Sequence, residues 1–221
     1  MSGAASARVA RIPSGAAAPA VRRRLAPAER TELILDEALR LFAERHYSNV
    51  TMRDIAAACG INQALIYHYF DSKEHLFRRA LGYAIEQLHA GYAAVRAKAQ
   101  DPRGEIMSWL DMHVSIAATI TRMTKLMADH SASNGGEAET GALIAHFYAF
   151  EQGLLEDCIR RGVAARQFRA VDVARTARTV SLQLDGIFFA SSSRGDDRIA
   201  EDIDDLRELV AALLDRPGDG A

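Results

Sequence analysis

The chain has 221 residues, enough for one large domain or two small ones. Its 49% apolar and 25% charged residues are ordinary for a globular chain and exclude wholesale disorder, and no run of about 18 apolar residues offers a membrane span. The net charge of −2 hides an asymmetry, because residues 1–80 carry +4 and residues 81–221 carry −6. A basic front suits a polyanionic partner. Cys59 and Cys158 lie 99 positions apart, too few and too distant for a disulfide framework or a Cys-rich zinc site, so they read as small reduced apolar residues.

Residues 1–26 are mostly Ala, Arg, Ser, Gly and Pro, with no continuous apolar stretch for a secretory signal. They hold too little bulky apolar surface to offset chain entropy and read as a flexible basic arm. Two readings stand for Arg22, Arg23 and Arg24: a solvated tail, or an arm that touches phosphates or enters a minor groove.

From residue 27 onward the periodicity is helical, with no alternating apolar pattern bounded by turns. A first helix starts near Pro27, carries Ile34, Ala38, Leu41 and Phe42 on one face, and ends near His46–Tyr47. Thr51 followed by Asp54 forms a capping-box start for a short helix over Met52–Cys59, which Gly60 terminates. Asn62 serves as the N-cap of a second short helix, Gln63–Tyr69, and Asp71 and Ser72 precede a third beginning near Lys73. Two short helices joined by about four residues with a glycine are a helix-turn-helix signal. Ile55, Ala56 and Cys59 brace the first against a core, and the second is left to lie in a major groove.

The stretch Ile34…Ala38…Leu41-Phe42…Tyr47…Thr51…Asp54-Ile55-Ala56…Gly60-Ile61…Ile66-Tyr67-His68-Tyr69-Phe70…Ser72-Lys73-Glu74…Leu76 resembles the amino-terminal DNA-binding domain of TetR-family transcriptional regulators. The resemblance covers 45–50 residues of the chain. It departs from the family at His46, where glycine is usual, and at Ala64-Leu65, where small or hydroxylated residues are frequent. The first departure matters if the backbone keeps a positive φ there. The second bears on which operator is read, since Leu65 meets a thymine methyl but cannot hydrogen-bond a base.

The resemblance implies an all-α fold of about nine to ten helices: a three-helix DNA-binding domain over residues 27–73, a ligand-binding and dimerisation body over 74–216, and a tail over 217–221. It implies a cytoplasmic bacterial regulator, usually a repressor, that binds a palindromic double-stranded operator as a homodimer. An unidentified small-molecule effector releases it, and no cofactor is needed. Gln63 can pair bidentately with adenine, and Arg53 can reach a guanine edge or a phosphate. Thr51, Tyr67, Tyr69 and Lys73 match phosphate-binding positions, Lys73 also lying at a helix start that favours an anion. Asn62 and Ala64 belong to the same surface. Asn62 is either a base contact or only a cap, His68 either base-facing or solvated, and Tyr67 and Tyr69 either groove-flanking or core.

In the acidic back half one helix spans 73–99, and a helical stretch over 104–130 breaks near Ser115–Thr119. Trp109, Met112, His113, Ile116, Met123 and Met127, with Phe147 and Phe150 further on, read either as a ligand-pocket wall or as ordinary core. Asn134-Gly135-Gly136 marks a loop. Helices follow over 141–162, 171–192 and 198–214. In the family the two long ones pair with their copies as a four-helix bundle, which makes Leu154, Cys158, Val180, Leu184 and Phe188 candidates for a dimer interface.

An enzyme is not indicated, as no nucleophile elbow, Walker loop, zincin helix or dinucleotide fingerprint is present. The seven histidines are scattered, and His113, His130 and His146 read as satisfied or exposed rather than as metal ligands. The alternative of another class is an all-helical small-molecule-binding or interaction protein whose head no longer reads DNA; intact Arg53, Gln63 and Lys73 weigh against it.

Overall fold

A computed structural model describes residues 26–132, 138–195 and 197–215. The basic arm with Arg22–Arg24, the Asn134-Gly135-Gly136 loop and the 217–221 tail lie outside the described residues. Within them the chain is all-helical: α1 (Pro27–Arg45), a 3-10 turn (Tyr47–Asn49), α2 (Met52–Ala58), α3 (Gln63–Tyr69), α4 (Lys73–Lys98), α5 (Pro102–Ser115), α6 (Ala117–Ala132), α7 (Ala138–Ala164), α8 (Val173–Arg194) and α9 (Ile199–Leu214).

The starts of these helices are written in short polar side chains. Thr51 Oγ1 accepts from Asp54 N–H while Asp54 Oδ2 accepts from Thr51 N–H, so two otherwise unpaired donors are satisfied reciprocally. Ser72, Asp101 and Asp172 cap α4, α5 and α8 one way, each side-chain oxygen accepting from the N–H three residues on. Gly60 sits at φ +64° in the turn from α2 to α3, a conformation that side chains bearing a Cβ adopt at a cost. The break in the 104–130 stretch falls at Ile116, whose N–H closes the last turn of α5 on Met112 O.

The interior runs continuously from head to body. Ile34, Ala38 and Phe42 of α1 pack with Ile55, Ile66, Phe70 and Leu76, and α1 also lies against α4 and α6. In the body α5 is set against α4, α7 and α9, and α8 against α6, α7 and α9. Among the described residues no helix is long and apolar enough to cross a membrane.

His46 terminates α1 at φ 62°, ψ 150°. This region is populated almost only by glycine and costs a side-chain-bearing residue about 1–3 kcal/mol. The His46 ring lies 3.1 Å from the Asp129 carboxylate of α6, an exposed contact between head and body of little worth in water. His46→Gly is therefore expected to stabilise the fold by about 1 kcal/mol, raising Tm by about 2–4 °C in a thermal melt. A lower Tm would mean that the contact with Asp129 outweighs the strain.

Candidate functional site

The head presents one face of α3 to solvent. Ile66 is fully buried and Leu65 half-buried, while Gln63, Ala64, Tyr67 and His68 are exposed, Tyr67 to 49%. Arg53, in the first turn of α2, is exposed as well. A seven-residue helix pinned by one apolar side chain and capped at its start is a rigid support for outward side chains. Asn62 Oδ1 accepts from Ala64 N–H at 2.9 Å. Its oxygen is thus committed to the cap, and the amide group alone remains for DNA.

The residues matched to phosphate positions divide. Tyr69 is half-buried against the core, with its ring edge on His68, so it does not share the open exposure of Tyr67. Thr51 Oγ1 donates to Asp54 Oδ2 at 2.5 Å, and bonds from Thr51 hold the Asp54 carboxyl below its usual range. Lys73 donates to Tyr47 O at 3.0 Å, and its ammonium stands 4.2 Å above the Tyr47 ring. The Tyr47 hydroxyl in turn donates to Glu74 at 2.6 Å. Lys73 is thereby aimed by the turn after α1, with donors left over for an anion.

In the body, the residues expected either as pocket wall or as core divide by burial. Trp109, His113, Met123, Met127 and Phe147 are buried, Met112 and Ile116 are half-buried, and Phe150 is partly exposed. Met112 packs so closely on Gly91 that a Cβ there would stand 2.6 Å from its sulfur. Of the dimer candidates, Cys158, Val180, Leu184 and Phe188 are buried within their own protomer and Leu154 is half-buried. The outward face of α8 shows Leu182, 54% exposed, and Phe189, 64% exposed, and Tyr148 of α7 lines a cleft with Leu182. Burial pushes the thiols up, Cys59 to about 11 and Cys158 to about 12, which suits inert residues.

One charged residue in the body had no signal of its own. Glu151 of α7 is 3% exposed. Ser181 Oγ donates to its Oε2 at 2.7 Å, and the Tyr92 hydroxyl lies 3.5 Å from its Oε1. Burial, with Asp185 adding repulsion, raises its carboxyl to about 7, and burial raises Asp185 to about 6. His113, also buried, is pushed down to about 4. Among the described residues no group of His, Cys, Asp and Glu has metal-site geometry.

Residues 34–80 match the family profile described as bacterial regulatory proteins, tetR family. Over that head the chain is similar to the TetR family. The chain is 36% identical over 118 residues to the transcriptional repressor KstR2 of Rhodococcus jostii, a match covering 53% of this chain and 52% of that protein. The chain thus spans about half the length of that curated relative. Two solved structures share its fold along most of its length. A regulator from Saccharomonospora viridis in complex with choline superposes with TM-score 0.75 at 20% identity, covering 86% of this chain and 99% of that one. The ketosteroid regulator KstR2 of Mycobacterium tuberculosis does so with TM-score 0.69 at 19% identity, covering 87% and 97%. One of these is bound to choline and the other is a ketosteroid regulator, so the shared fold does not by itself select a ligand.

Proposed function

We propose that this protein is a dimeric, DNA-binding regulator of transcription, acting as a repressor that a small-molecule effector releases. The head over 27–73 reads an operator in the bacterial cytoplasm, and the body over 74–216 pairs the protomers and binds the effector. The observation that carries the reading is the split of α3. Ile66 locks the helix to the core while Gln63, Ala64, Tyr67 and His68 of the same helix stand free, the arrangement a major-groove helix requires. Arg53 extends that surface, and Thr51, Asn62, Tyr69 and Lys73 frame it.

A fluorescence-anisotropy titration against the intergenic DNA beside its own gene, in a salt series with competitor DNA, tests this directly. Saturable binding that survives competitor supports the regulator; sequence-independent binding at low salt only, or none, favours a ligand-binding protein without operator recognition. Gln63→Ala is expected to lose about 1–3 kcal/mol of discrimination at one operator position. A binding-site selection with unchanged preference would remove Gln63 from the base contacts.

Pairing follows from the outward faces of α7 and α8. Leu182, Phe189 and Tyr148 are large apolar side chains on neighbouring surfaces, with the small residues Ala145, Ala149 and Gly153 exposed along α7. A two-fold interface buries the same patch on both copies. Phe189→Asp is expected to shift the protein from dimer to monomer in light scattering after size exclusion. An unchanged mass would place the interface elsewhere.

A further inference from the structure

The end of α1 carries a backbone conformation that stability does not explain. His46 holds φ 62°, ψ 150°, a region that glycine enters freely and a histidine does not. Its side chain is 72% exposed, so no apolar burial offsets the strain. What the ring has instead is one directed contact. Nδ1 lies 3.1 Å from Oδ1 and 3.1 Å from Oδ2 of Asp129. A carboxylate only accepts, so Nδ1 carries a hydrogen and shares it between the two oxygens. Asp129 belongs to α6 of the body, and His46 closes the first helix of the head. These two helices pack on each other, and nearer the start of α6 Arg122 attracts Asp36 of α1.

His46 also holds the turn that follows it. Its carbonyl accepts from Asn49 N–H at 3.2 Å, closing the 3-10 turn Tyr47–Asn49. Tyr47, the next residue, packs its ring 5.6 Å from that of Phe42 and 5.1 Å from that of Phe77. The same ring and the Tyr47 carbonyl receive the Lys73 ammonium. A shift of His46 therefore moves the surface on which that ammonium rests. The path is unbroken: Asp129 carboxylate, His46 ring and backbone, Tyr47 carbonyl and ring, Lys73 Nζ. A lysine on its own is a point charge on a flexible four-carbon stem. One already held in place loses less freedom when it meets a phosphate.

We propose that His46 and Asp129 are positioning residues for the DNA contact: through them α6 sets the turn after α1, and the turn aims Lys73 at a phosphate of the duplex. This rests on the reading of the head as an operator-binding domain. An exposed pair adds little to stability. It contributes direction instead, and the strain at His46 is what placing a ring donor at that point costs. Stability and DNA affinity should then move in opposite directions when the ring is removed, which a merely structural residue would not produce.

Lys73 is first read without DNA. The full chain is pulsed with sulfosuccinimidyl acetate, and acetylation of Lys73 is followed by peptide mass spectrometry with the exposed Lys98 as internal standard. His46→Gly and Asp129→Ala are each expected to free the amine from Tyr47 and speed Lys73 about twofold or more relative to Lys98. Fluorescence anisotropy with the intergenic duplex beside its own gene is the second readout. Both variants should bind about threefold or more weakly, although His46→Gly melts higher. His46→Asn is the rescue. Its Nδ2–H takes the place of Nδ1–H, and asparagine accepts a positive φ more readily, so rate and affinity should stay at the wild-type values. In a Lys73→Ala background, His46→Gly should lose no further affinity, because a residue acting through Lys73 has nothing left to aim. Unchanged Lys73 acetylation in both variants, His46→Asn as impaired as His46→Gly, or independent losses in the Lys73→Ala background overturns the proposal. If the wild-type chain binds the duplex no better than competitor DNA, the operator reading falls, and the acetylation comparison alone decides whether His46 and Asp129 aim Lys73.

Discussion

Glu151→Gln is expected to raise the melting temperature at pH 8 and to leave it nearly unchanged at pH 4. The Glu151 carboxyl moves from an ordinary 4.5 up to about 7 because burial disfavours its charge and Asp185 repels it. The folded chain therefore holds this proton more tightly than the unfolded chain. Below the unfolded value both states are protonated and nothing is lost. As pH rises toward 7 the unfolded state releases its proton first, and stability falls; above 7 the loss is complete and constant. A displacement of that size corresponds to about 3 kcal/mol, or about 6–12 °C in Tm for a chain of this length. Glutamine removes the charge but keeps an oxygen to accept from Ser181, and its amide can donate to the Tyr92 hydroxyl oxygen. His113, depressed to about 4, lowers stability on the acid side, but in both proteins, so it cancels in the difference. Differential scanning calorimetry at the two pH values is the measurement. A variant less stable at pH 8 would mean that Glu151 is held ionised by something other than its present neighbours.

That Glu151 escaped the sequence reading has a physical cause. A lone acid on a helix looks like a solvated one, and the only mark was its place in an otherwise apolar stripe, Phe147, Glu151, Leu155 and Cys158, at spacings of four, four and three. The head was far more legible. Its helix starts are announced by Thr51, Asn62 and Ser72, whose side chains bond the backbone locally, and local bonds can be read without knowing the fold. The strain at His46 was legible too, because the resemblance marks that position as one for glycine. Partners beyond the local chain were not. Periodicity on α8 picks out Val180, Leu184 and Phe188 as one stripe but does not say whether its own protomer or a copy covers it. Phe188 and Phe189 are neighbours about 100° apart on the helix, and one points in while the other points out. Nor does any spacing reveal that Lys73 lies over Tyr47, since that contact depends on how α4 docks beside the turn after α1.

Gly162→Ala is expected to destabilise the fold by about 3 kcal/mol, the upper end of ordinary overpacking. In an open helix the same change would gain about 1 kcal/mol, so the sign is decided by what the new methyl meets. At Gly162 a Cβ would stand 2.0 Å from Phe168 Cδ2 and 2.2 Å from its Cε2. The ring cannot simply retreat. Phe168 is buried, and the backbone N–H groups of Gln167 and Phe168 both donate to Gly162 O, at 2.9 and 3.1 Å. Arg166, at φ 60°, completes a turn with little slack. Gly82, whose added Cβ would meet only Leu143 at an ordinary 3.8 Å, is the control, and Gly82→Ala should be neutral or stabilising. Shrinking the ring should restore room, so Gly162→Ala combined with Phe168→Leu is expected to lose at least about 1 kcal/mol less than the two single changes together. Additive effects in urea unfolding would show that the clash is absorbed elsewhere. The consequence reaches beyond stability, because this turn sets α8 against α7. Their register holds Ser181 on Glu151 and turns Leu182 and Phe189 outward, so Gly162→Ala should weaken dimer formation as well as stability.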